Sequence, residues 1–329
     1  MDGWSRLRAD RRFDAEQDPD LLAGWVAAMR RGDFDAAWKI GDLVRAAAGP
    51  VMAPPLRPRH EQAIWSGRPL TGRQVLVRCY HGLGDTIQFA RFLPRLAAEA
   101  RHLVVWAQPE LIPLLRDSAL GGDLLPLHDG DPGVPYDVDL EIMEIPFALR
   151  LTLDDVRVPV PYLRVPARGR GDHSFSIGVV TTAGAWNAGR SIPPDLLSPL
   201  AAIPGVSLFN LQPDMPLAGA VDISTWDIRE TAARVGALDL VVTVDTMVAH
   251  LAGALGVRTW TLLGSDADWR WMQDRPDSPW YPTMRLWRQA RPGDWTSVAG
   301  PVLTAASVLV RTVWSASSER PSGRESQSD

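Results

Sequence analysis

Residues 74–107 read QVLVRCYHGLGDTIQFARFLPRLAAEARHLVVWA, and they decide the fold. The apolar run QVLVRCY is followed by the glycine turn HGLGD, an amphipathic stretch interrupted at Pro94, and a second apolar run, HLVVWA. Short apolar runs bounded by turn residues predict buried strands, and the periodic stretch between them predicts a helix. A strand, a helix and a strand in this order predict a parallel sheet with helices packed on its faces.

The same alternation continues with the helix PELIPLLRDS and returns after residue 174. The runs FSIGVV, SLFNL, LVVTV and TWTLL predict strands there. PPDLLSPLAAI, IRETAARVGAL and MVAHLAGALG predict the helices between them, and SVAGPVLTAASVLVRTVW predicts a closing helix. The fold class is therefore α/β, with two Rossmann-like domains that we expect to face each other across a cleft.

Two further segments flank these halves. Residues 19–48 predict a helical hairpin, because each arm begins near an aspartate and ends on a glycine. We predict a helical extension over residues 1–66, a first domain over 67–168, a second over 169–314 and a disordered polar tail over 315–329. The stretch PYLRVPARGRGDHS is the expected linker between the two domains.

Composition excludes several classes of protein. The net charge is -5 and no long block of Lys or Arg occurs, which argues against a nucleic-acid partner. The N-terminus MDGWSRLRADRRFD is too charged for a signal peptide, and no run of about 18 uninterrupted apolar residues predicts a membrane span. We therefore expect a cytoplasmic protein. The single cysteine, Cys79, lies in a predicted strand and is expected to be a buried, inert thiol.

The first turn that can carry chemistry is His81-Gly82-Leu83-Gly84-Asp85. It joins a strand to a helix, so it lies at the carboxyl edge of a parallel sheet, where ligands bind in α/β proteins. Gly82 and Gly84 permit close approach of a ligand. Asp85 falls where a helix N-cap would lie, so a purely structural cap is the alternative. The turn lacks the third glycine of the dinucleotide-binding fingerprint.

The second such turn runs from Val244 to His250. The apolar strand LVVTV leads into a helix whose free N–H groups can bind an anion. Asp245 and Thr246 can cap that helix, and the threonine hydroxyl can also bind a phosphate oxygen. His250 lies four residues after Thr246, on the same helix face. Its alternative role is that of a buried, hydrogen-bonded core histidine.

Three segments together resemble the heptosyltransferase-related enzymes of glycosyltransferase family 9: HGLGDTIQFARFLP, DLVVTVDTMVAHLAGALGV and DWRWMQDRPDSPWYPTMRLWRQ. The likeness covers about residues 60–310 and is greatest to the bacterial branch often fused to tetratricopeptide repeats. The N-terminal hairpin is similar to one degenerate repeat of that kind, and one repeat is expected to pack on the catalytic body. The resemblance implies a GT-B fold, in which the first domain holds the acceptor and the second holds a nucleotide-sugar donor.

The resemblance also implies roles for individual residues. Asp85 corresponds to the proposed catalytic base, which takes a proton from the acceptor hydroxyl in a displacement that inverts the anomeric carbon. The acceptor site is expected at His81, Gly82 and Gly84. The donor site is expected at Thr181, Thr182, Arg190, Gln212, Asp245, Thr246, Met247 and His250. Within that set, Arg190 is assigned a phosphate contact and Gln212 a contact to ribose or base; a surface charge and a turn residue are the respective alternatives.

Some residues depart from the family's pattern. Relatives often carry Glu-Gln before the GLGD turn, whereas this chain has Tyr80-His81, and the loop over residues 181–190 is unusually apolar. Both changes bear on which acceptor and sugar are used. Asp266-Ala267-Asp268 spells a D-x-D, which binds a divalent metal in other glycosyltransferases. GT-B relatives need no such metal, so we predict neither a metal nor a cofactor.

The sequence thus predicts an inverting, metal-independent glycosyltransferase. Its donor is an ADP-, GDP- or UDP-linked sugar, with ADP-heptose among the candidates, and its acceptor is a hydroxyl on a carbohydrate or a small natural product. A nucleotide-sugar epimerase on the same fold is one alternative, and it would isomerise a donor with no acceptor present. A non-catalytic binding or scaffold protein is the other, and tight binding of a nucleoside diphosphate would count against a pure scaffold.

Overall fold

The computed structural model describes residues 19–48, 59, 64–166 and 174–318. It begins with a helical hairpin of α1, Pro19–Arg31, and α2, Phe34–Ala48. Gly32 ends α1 with a φ of 76°, a conformation that glycine adopts without strain. The Asp33 carboxylate then accepts a hydrogen bond from the Ala36 N–H at 3.1 Å, which starts α2 as the sequence predicts.

The first half contains a four-stranded parallel sheet in the order β3-β2-β1-β4. Its elements in chain order are β1 Gln74–Arg78, α3 Leu83–Phe89, α4 Leu93–Glu99, β2 His102–Ala107, α5 Ile112–Ser118, β3 Asp123–Pro126, β4 Val138–Glu141 and α6 Ile145–Ala148. The helix predicted across Pro94 is two helices joined by a 3₁₀ turn over Ala90–Phe92. Pro94 lies in the first turn of α4, where its missing N–H costs least.

The second half contains a six-stranded parallel sheet in the order β10-β9-β8-β5-β6-β7. Its elements are β5 Phe175–Val180, β6 Val206–Asn210, β7 Val221–Asp222, α7 Ile228–Gly236, β8 Leu240–Val244, α8 Met247–Ala254, β9 Thr259–Leu263, β10 Met284–Arg288 and α9 Thr296–Ser318. The helix predicted over PPDLLSPLAAI is wrong: two 3₁₀ turns, Pro194–Leu196 and Ser198–Ala202, stand there. Three prolines without N–H groups leave too few donors for an α-helix.

The last helix packs one face on the second half. Val298, Val302, Ala306 and Val310 recur at helical spacing and are buried in the core of that half. Within the described residues, Thr296–Val313 has the length and apolar content of a membrane-crossing helix, as core helices of soluble proteins also do. The expectation of no membrane span therefore stays a prediction.

Parts of the predicted domain scheme fall outside the described residues. The expected disordered tail begins at residue 315, but residues 315–318 belong to α9, and the remainder lies outside. In the expected linker, residues 167–173 also lie outside, whereas Tyr162 and Leu163 are buried in the core of the first half. Cys79 is fully buried, and burial raises the pKa of its thiol.

Aromatic packing joins the three parts of the molecule. The Trp280 ring, from the second half, lies 6.2 Å from Phe34 of the extension and 5.8 Å from Phe89 of the first half. The Trp38 indole donates to the Leu151 carbonyl at 2.7 Å, which fixes α2 on the first half. Residues of the extension and of both halves therefore belong to one apolar cluster, which lies beside the separate core of the second half.

Candidate active site

A cavity of about 1260 Å³ lies between the two halves. Gly82–Asp85 line it from the end of β1, and residues that follow β5, β6, β8, β9 and β10 line it from the second sheet. The carboxyl ends of both parallel sheets thus open into one space, as expected for a ligand site in an α/β fold. The extension also reaches this cavity through Val26 and Arg30 of α1.

The two predicted turns touch each other across this cavity. A Cβ atom added at Gly84 would lie 3.0 Å from His250 Cδ2 and 3.3 Å from Met247 Cα. A larger residue at Gly84 would therefore force the start of α3 away from the start of α8. The close approach explains why a glycine stands there, and it brings Asp85 next to the second turn.

Asp85 is not the N-cap that the sequence predicts. Gly82 holds the N-cap position, and Asp85 is the third residue of α3, where its Oδ2 accepts from the Gly82 N–H at 3.0 Å. Its Oδ1 accepts from Arg270 Nη2 at 2.5 Å. Burial alone would raise the pKa of Asp85, but the charges of Arg270 and His81 outweigh it and lower the pKa. The side chain is therefore a carboxylate at neutral pH.

Arg270 is a site residue that the sequence analysis missed. Its Nη1 donates to Asp268 at 2.8 Å, and its guanidinium lies 4.9 Å from the centre of the Trp269 ring. Burial would lower the pKa of Arg270, but the negative charges of Asp268 and Asp85 outweigh burial and raise the pKa. The guanidinium therefore stays protonated. The quoted segment DWRW contains this arginine, but nothing local in that sequence indicates that it reaches Asp85.

His81 contacts the first sheet rather than the cavity. Its Nδ1 lies 2.9 Å from Glu141 Oε1, at the end of β4, and Gln108 Nε2 donates to its carbonyl at 2.8 Å. Burial by itself would lower the pKa of His81, but the carboxylates of Glu141 and Asp85 raise it overall. Gly82 and Gly84 do line the cavity, as predicted for the acceptor side.

The second turn presents an open helix start. Thr246 holds the N-cap position of α8, but its side chain makes no capping bond, contrary to expectation; its Oγ1 lies 3.2 Å from Thr243 Oγ1. The first N–H groups of an α-helix have no acceptor within the helix. Thr246, Met247 and Val248 line the cavity, so this end of α8 is directed towards any ligand in it.

Asp245 and Arg190 form an ion pair beside the helix start. Arg190 Nη1 lies 3.4 Å from Asp245 Oδ2 and donates to the Asp245 carbonyl at 2.9 Å. Burial raises the pKa of Asp245, although the Arg190 charge opposes that rise. Arg190 lines the cavity, so the predicted phosphate-binding cation lies next to the helix start.

His250 is held as a neutral ring. Its Nδ1 lies 2.9 Å from the Tyr281 hydroxyl, and its ring stacks on Trp271 at 5.2 Å. Burial and the nearby charge of Arg270 lower the pKa of His250 to about 3. Tyr281 can reach this position because Gly253 has no side chain. A Cβ atom at Gly253 would lie only 2.4 Å from the Tyr281 ring. His250 is thus both hydrogen-bonded in the core, as the structural alternative holds, and a residue that lines the cavity.

The remaining residues predicted to bind the nucleotide-sugar donor, Thr181, Thr182 and Gln212, belong to the loop after β5 or contact it. Gln212 Oε1 accepts from the Thr182 N–H at 3.0 Å and the Thr181 N–H at 3.3 Å, and its Nε2 donates to the Thr182 carbonyl at 3.0 Å. The amide therefore braces the loop with both of its ends. Thr182 and Gln212 line the cavity, whereas Thr181 is 5% exposed.

The two aspartates of the D-x-D bind arginines. Asp266 Oδ1 lies 2.5 Å from Arg30 Nη2, and Asp268 Oδ1 lies 2.8 Å from Arg270 Nη1. Across the part of the chain that the structure describes, no group of three or more His, Cys, Asp and Glu side chains could hold a metal ion. These carboxylates have structural partners on both sides of the cavity.

Trp226 is a second residue that the sequence analysis missed. It lies between β7 and α7, lines the cavity, and is 76% exposed. An exposed indole beside a cleft offers an apolar face to a flat ligand. The surrounding sequence, STWD, looks like an ordinary polar turn, so only the three-dimensional position reveals this residue.

Two α/β halves with parallel sheets, facing across a cleft at their carboxyl ends, define the GT-B class of fold. Among solved structures, a glycosyltransferase of family 9 from Veillonella parvula aligns with a TM-score of 0.52 and 13% identity, covering 74% of this chain and 99% of its own. The iron-containing dodecameric glycosyltransferase TibC from enterotoxigenic Escherichia coli aligns with a TM-score of 0.52 and 13% identity, covering 75% and 78%. The predicted GT-B fold is confirmed, and with it the structural likeness to glycosyltransferase family 9.

A comparison by sequence finds a curated relative, protein FlbA of Caulobacter vibrioides. It is 25% identical over 288 residues, which covers 73% of this chain and 47% of FlbA. The chain therefore spans about half the length of this relative. No family model matches the sequence. The likeness to the tetratricopeptide-fused branch stays a prediction.

Proposed function

We propose that this protein is a glycosyltransferase that moves a sugar from a nucleotide-sugar donor to an acceptor hydroxyl. One observation carries the proposal: a carboxylate turn from the first half and an open helix start from the second half meet in one cavity. The carboxylate turn supplies a proton acceptor, and the open helix start supplies hydrogen-bond donors for a diphosphate. A transfer from a nucleotide sugar needs both at once.

The donor side fits a nucleoside diphosphate. The start of α8 and Arg190 place backbone N–H groups and a cation on the same wall of the cavity. Ligand cavities commonly measure about 300–1,000 Å³, so a volume near 1260 Å³ leaves room for a donor and part of an acceptor. Trp226 offers a surface on which the nucleobase can stack.

A related structure suggests which donor to test first. TibC was also solved in complex with ADP-D-β-D-heptose, and that structure aligns here with a TM-score of 0.50 and 12% identity, over 76% of this chain and 78% of its own. We therefore propose an ADP-linked sugar, and ADP-heptose before the others. GDP- and UDP-linked sugars are tested beside it, since the cavity wall recognises the diphosphate that all three share.

The proposed reaction is a single displacement. The acceptor oxygen attacks the anomeric carbon while the Asp85 carboxylate takes its proton, and the bond between that carbon and the diphosphate oxygen breaks. The leaving diphosphate carries the electron pair away and is stabilised by the start of α8 and by Arg190. Attack opposite the leaving group inverts the anomeric configuration. Protein groups supply the positive charge, so the proposed mechanism needs no metal.

The first test is a thermal-shift screen of the full chain with ADP, GDP, UDP and their sugars. A ligand at 100 times its Kd stabilises the folded state by about 2.7 kcal/mol, which raises the melting temperature by several degrees. We expect the strongest shift from ADP or an ADP-sugar. Arg190→Gln should weaken that shift, whereas Arg157→Gln, which removes a surface ion pair with Asp154, should leave it intact.

The outcomes separate the candidate functions. If no nucleoside diphosphate shifts the melting temperature, the proposal fails and a scaffold role is favoured. If a donor is isomerised with no acceptor present, the protein is an epimerase. For a transferase, NMR of the glycosylated product should show the anomeric configuration opposite to that of the donor, and EDTA should not lower the rate.

A further inference from the structure

Arg270 makes an ion pair that joins the two halves at the centre of the cavity. Asp85 belongs to the start of α3 in the first half, and Arg270 belongs to the segment after β9 in the second. Their side chains meet at 2.5 Å, with 11% of Arg270 and 23% of Asp85 exposed. The pair is therefore largely shielded from water, which strengthens it relative to a surface pair.

We propose that Arg270 is a positioning residue, which fixes the Asp85 carboxylate across the cavity so that the base of the first half is oriented by the second half. This inference rests on the proposed function, because it assigns Asp85 the role of base. Arg270 itself need not touch the acceptor. Its contribution is the geometry and the ionisation state of Asp85.

Two hydrogen bonds from different halves fix the carboxylate plane. Oδ2 accepts from the Gly82 N–H at 3.0 Å, within the same turn, and Oδ1 accepts from Arg270. Each carboxylate oxygen has two lone pairs, so one on each oxygen remains for an acceptor hydroxyl. With either bond lost, the carboxylate could rotate about the Cβ–Cγ bond and lose its alignment with the incoming oxygen.

Arg270 is itself held rigidly. Asp268 Oδ1 accepts from both the Arg270 backbone N–H, at 3.0 Å, and Nη1, at 2.8 Å. The Trp280 indole donates to the Arg270 carbonyl at 2.7 Å, and the guanidinium lies over Trp269. A planar fork can bind Asp85 and Asp268 at the same time, whereas a lysine ammonium has neither the reach nor the planar geometry.

The charges around Asp85 indicate what losing Arg270 would do. Positive charge near Asp85 comes from Arg270 and from His81 in the same turn, whereas the His250 ring on α8 is neutral. Asp268 and Asp245 face Arg270 from the second half, while Glu141 faces His81 from β4. Arg190 pairs with Asp245 beside them. Replacing Arg270 with a neutral residue removes the main positive charge and leaves Asp85 near the carboxylates of Asp268 and Asp245. The pKa of Asp85 should therefore rise.

A measurement independent of turnover tests this first. In carboxyl-labelled protein, the Asp85 resonance is assigned by its absence in Asp85→Asn and titrated by NMR. We expect a midpoint below that of an ordinary aspartate in wild type, a higher midpoint in Arg270→Gln, and an intermediate one in Arg270→Lys. Arg275→Gln is the matched control, because it removes a pair with Asp277 in the same segment but outside the cavity.

The pH profile tests the catalytic consequence. The acidic limb of kcat/KM reports the base that must be deprotonated, so in Arg270→Gln it should move to higher pH. At the optimum, kcat should fall about 10- to 100-fold, as expected for a misaligned group, while the donor KM changes less than about twofold. Arg270→Lys should recover the position of the acidic limb better than it recovers kcat.

The possible results separate the ion pair from the proposed function. An unchanged Asp85 midpoint in Arg270→Gln overturns the inference, whatever the activity. A folded Arg270→Gln protein with wild-type kcat also overturns it. If the midpoint moves but the wild type transfers no sugar from any nucleotide donor, the ion pair is real and the proposed function is what fails.

Discussion

The turns at His81–Asp85 and at Asp245–His250 have the same local architecture and opposite electrostatics. Each follows a buried strand of a parallel sheet, and each begins a short helix directed at the cavity. In the first, the Asp85 carboxylate folds back onto the Gly82 N–H and occupies the positive end of its own helix. In the second, the Thr246 side chain makes no capping bond, and the helix start stays open.

The position of the acid within each turn explains the difference. Asp85 is three residues after its N-cap, within reach of the N-cap N–H, as in half of a capping box. Asp245 precedes its N-cap and is held by Arg190 instead. The shift of the acid by a few residues turns one helix start into a carboxylate site and the other into an anion site.

The two turns therefore divide the proposed chemistry between them. The base must be a carboxylate with free lone pairs, and the leaving diphosphate needs hydrogen-bond donors that have no other acceptor. Two copies of either turn would supply only one of these. The strand-turn-helix motif alone therefore does not specify a role, whereas the placement of the acidic residue within it does.

The largest expected effect comes from breaking the first turn. Asp85→Asn keeps the shape of the side chain but removes its negative charge, so we expect transfer to fall about 10²- to 10⁴-fold, the usual contribution of a general base. Donor affinity should change little, because the proposed diphosphate site is on the other wall of the cavity. Steady-state kinetics and calorimetry with the donor measure the two quantities separately.

Asp277→Asn is the matched control for that variant, since Asp277 pairs with Arg275 on the surface. Its turnover should stay within about twofold of wild type, as surface ion pairs contribute little. Full turnover in Asp85→Asn would show that the first turn does not supply the base, and the contrast between the turns would lose its catalytic meaning.

The next effect comes from forcing the turns apart. Gly84→Ala places a Cβ atom 3.0 Å from His250 and 3.3 Å from the Met247 backbone, so we expect a loss of about 1–3 kcal/mol in the free energy of unfolding, with impaired transfer. Gly300→Ala in α9 is the control, because no atom beyond its chain neighbours and the backbone of its own helix lies within 4 Å of the added Cβ. That change should stabilise the helix by up to about 1 kcal/mol. Urea denaturation of both variants checks the pair; equal stabilities would contradict the close approach.

Much of this fold is predictable from the sequence, for a clear physical reason. Most of the strands that the sequence predicts are buried on both faces, as β8 is, so they read as continuous apolar runs such as LVVTV. The four strands that it misses do not: β3 is DLLP, β4 is VDLE, β7 has two residues, and β10 is MRLWR, with two arginines. The false helix over residues 193–203 arises from apolar spacing that its prolines override.

The candidate site is predictable only where local geometry defines it. The two turns follow from strand-helix alternation, which places both at carboxyl edges. Arg270 follows from no local pattern, because its partner Asp85 lies 185 residues away in sequence. Gln212 is predicted at the site and lines the cavity, but its amide binds the loop at Thr182 in the same half, 30 residues away in sequence. Pairs formed across a domain interface depend on how the halves dock, and one sequence does not display that.

The histidines of the two turns have pKa values that are shifted in opposite directions. The pKa of His250 falls from 6.5 to about 3, so its contribution to stability is lost as pH drops below about 6.5. The pKa of His81 is raised above 6.5, so its contribution is present at low pH and lost as pH rises through the folded value. Relative to His250→Gln, the wild type should lose up to about 1.4 kcal/mol per pH unit on acidification.

Urea denaturation between pH 5 and pH 8 measures these slopes. The difference between wild type and His81→Gln should change in the opposite sense, shrinking as pH rises. His128→Gln, at an exposed position, is the control for the replacement of a histidine by glutamine. Parallel slopes for His81 and His250 would contradict the opposite electrostatics of the two turns.

The smallest expected effect tests the open helix start itself. Thr246→Val keeps the β-branched shape but removes the hydroxyl, which binds no helix N–H and lies beside Thr243. If that hydroxyl contacts a phosphate, its loss should cost about 1 kcal/mol, or roughly a fivefold weaker Kd for the nucleoside diphosphate. Folding stability should fall by no more than about 1 kcal/mol, because the side chain caps nothing and its loss removes one hydrogen bond, to Thr243. Thr304→Val in α9, whose hydroxyl donates to the Gly300 carbonyl far from the cavity, is the control for calorimetry.

A Thr246→Val protein that binds as tightly as wild type would leave the backbone N–H groups and Arg190 as the sole diphosphate ligands of this turn. A loss of about 2 kcal/mol or more would show that the hydroxyl caps α8 after all, and the two turns would then differ less than their geometry indicates.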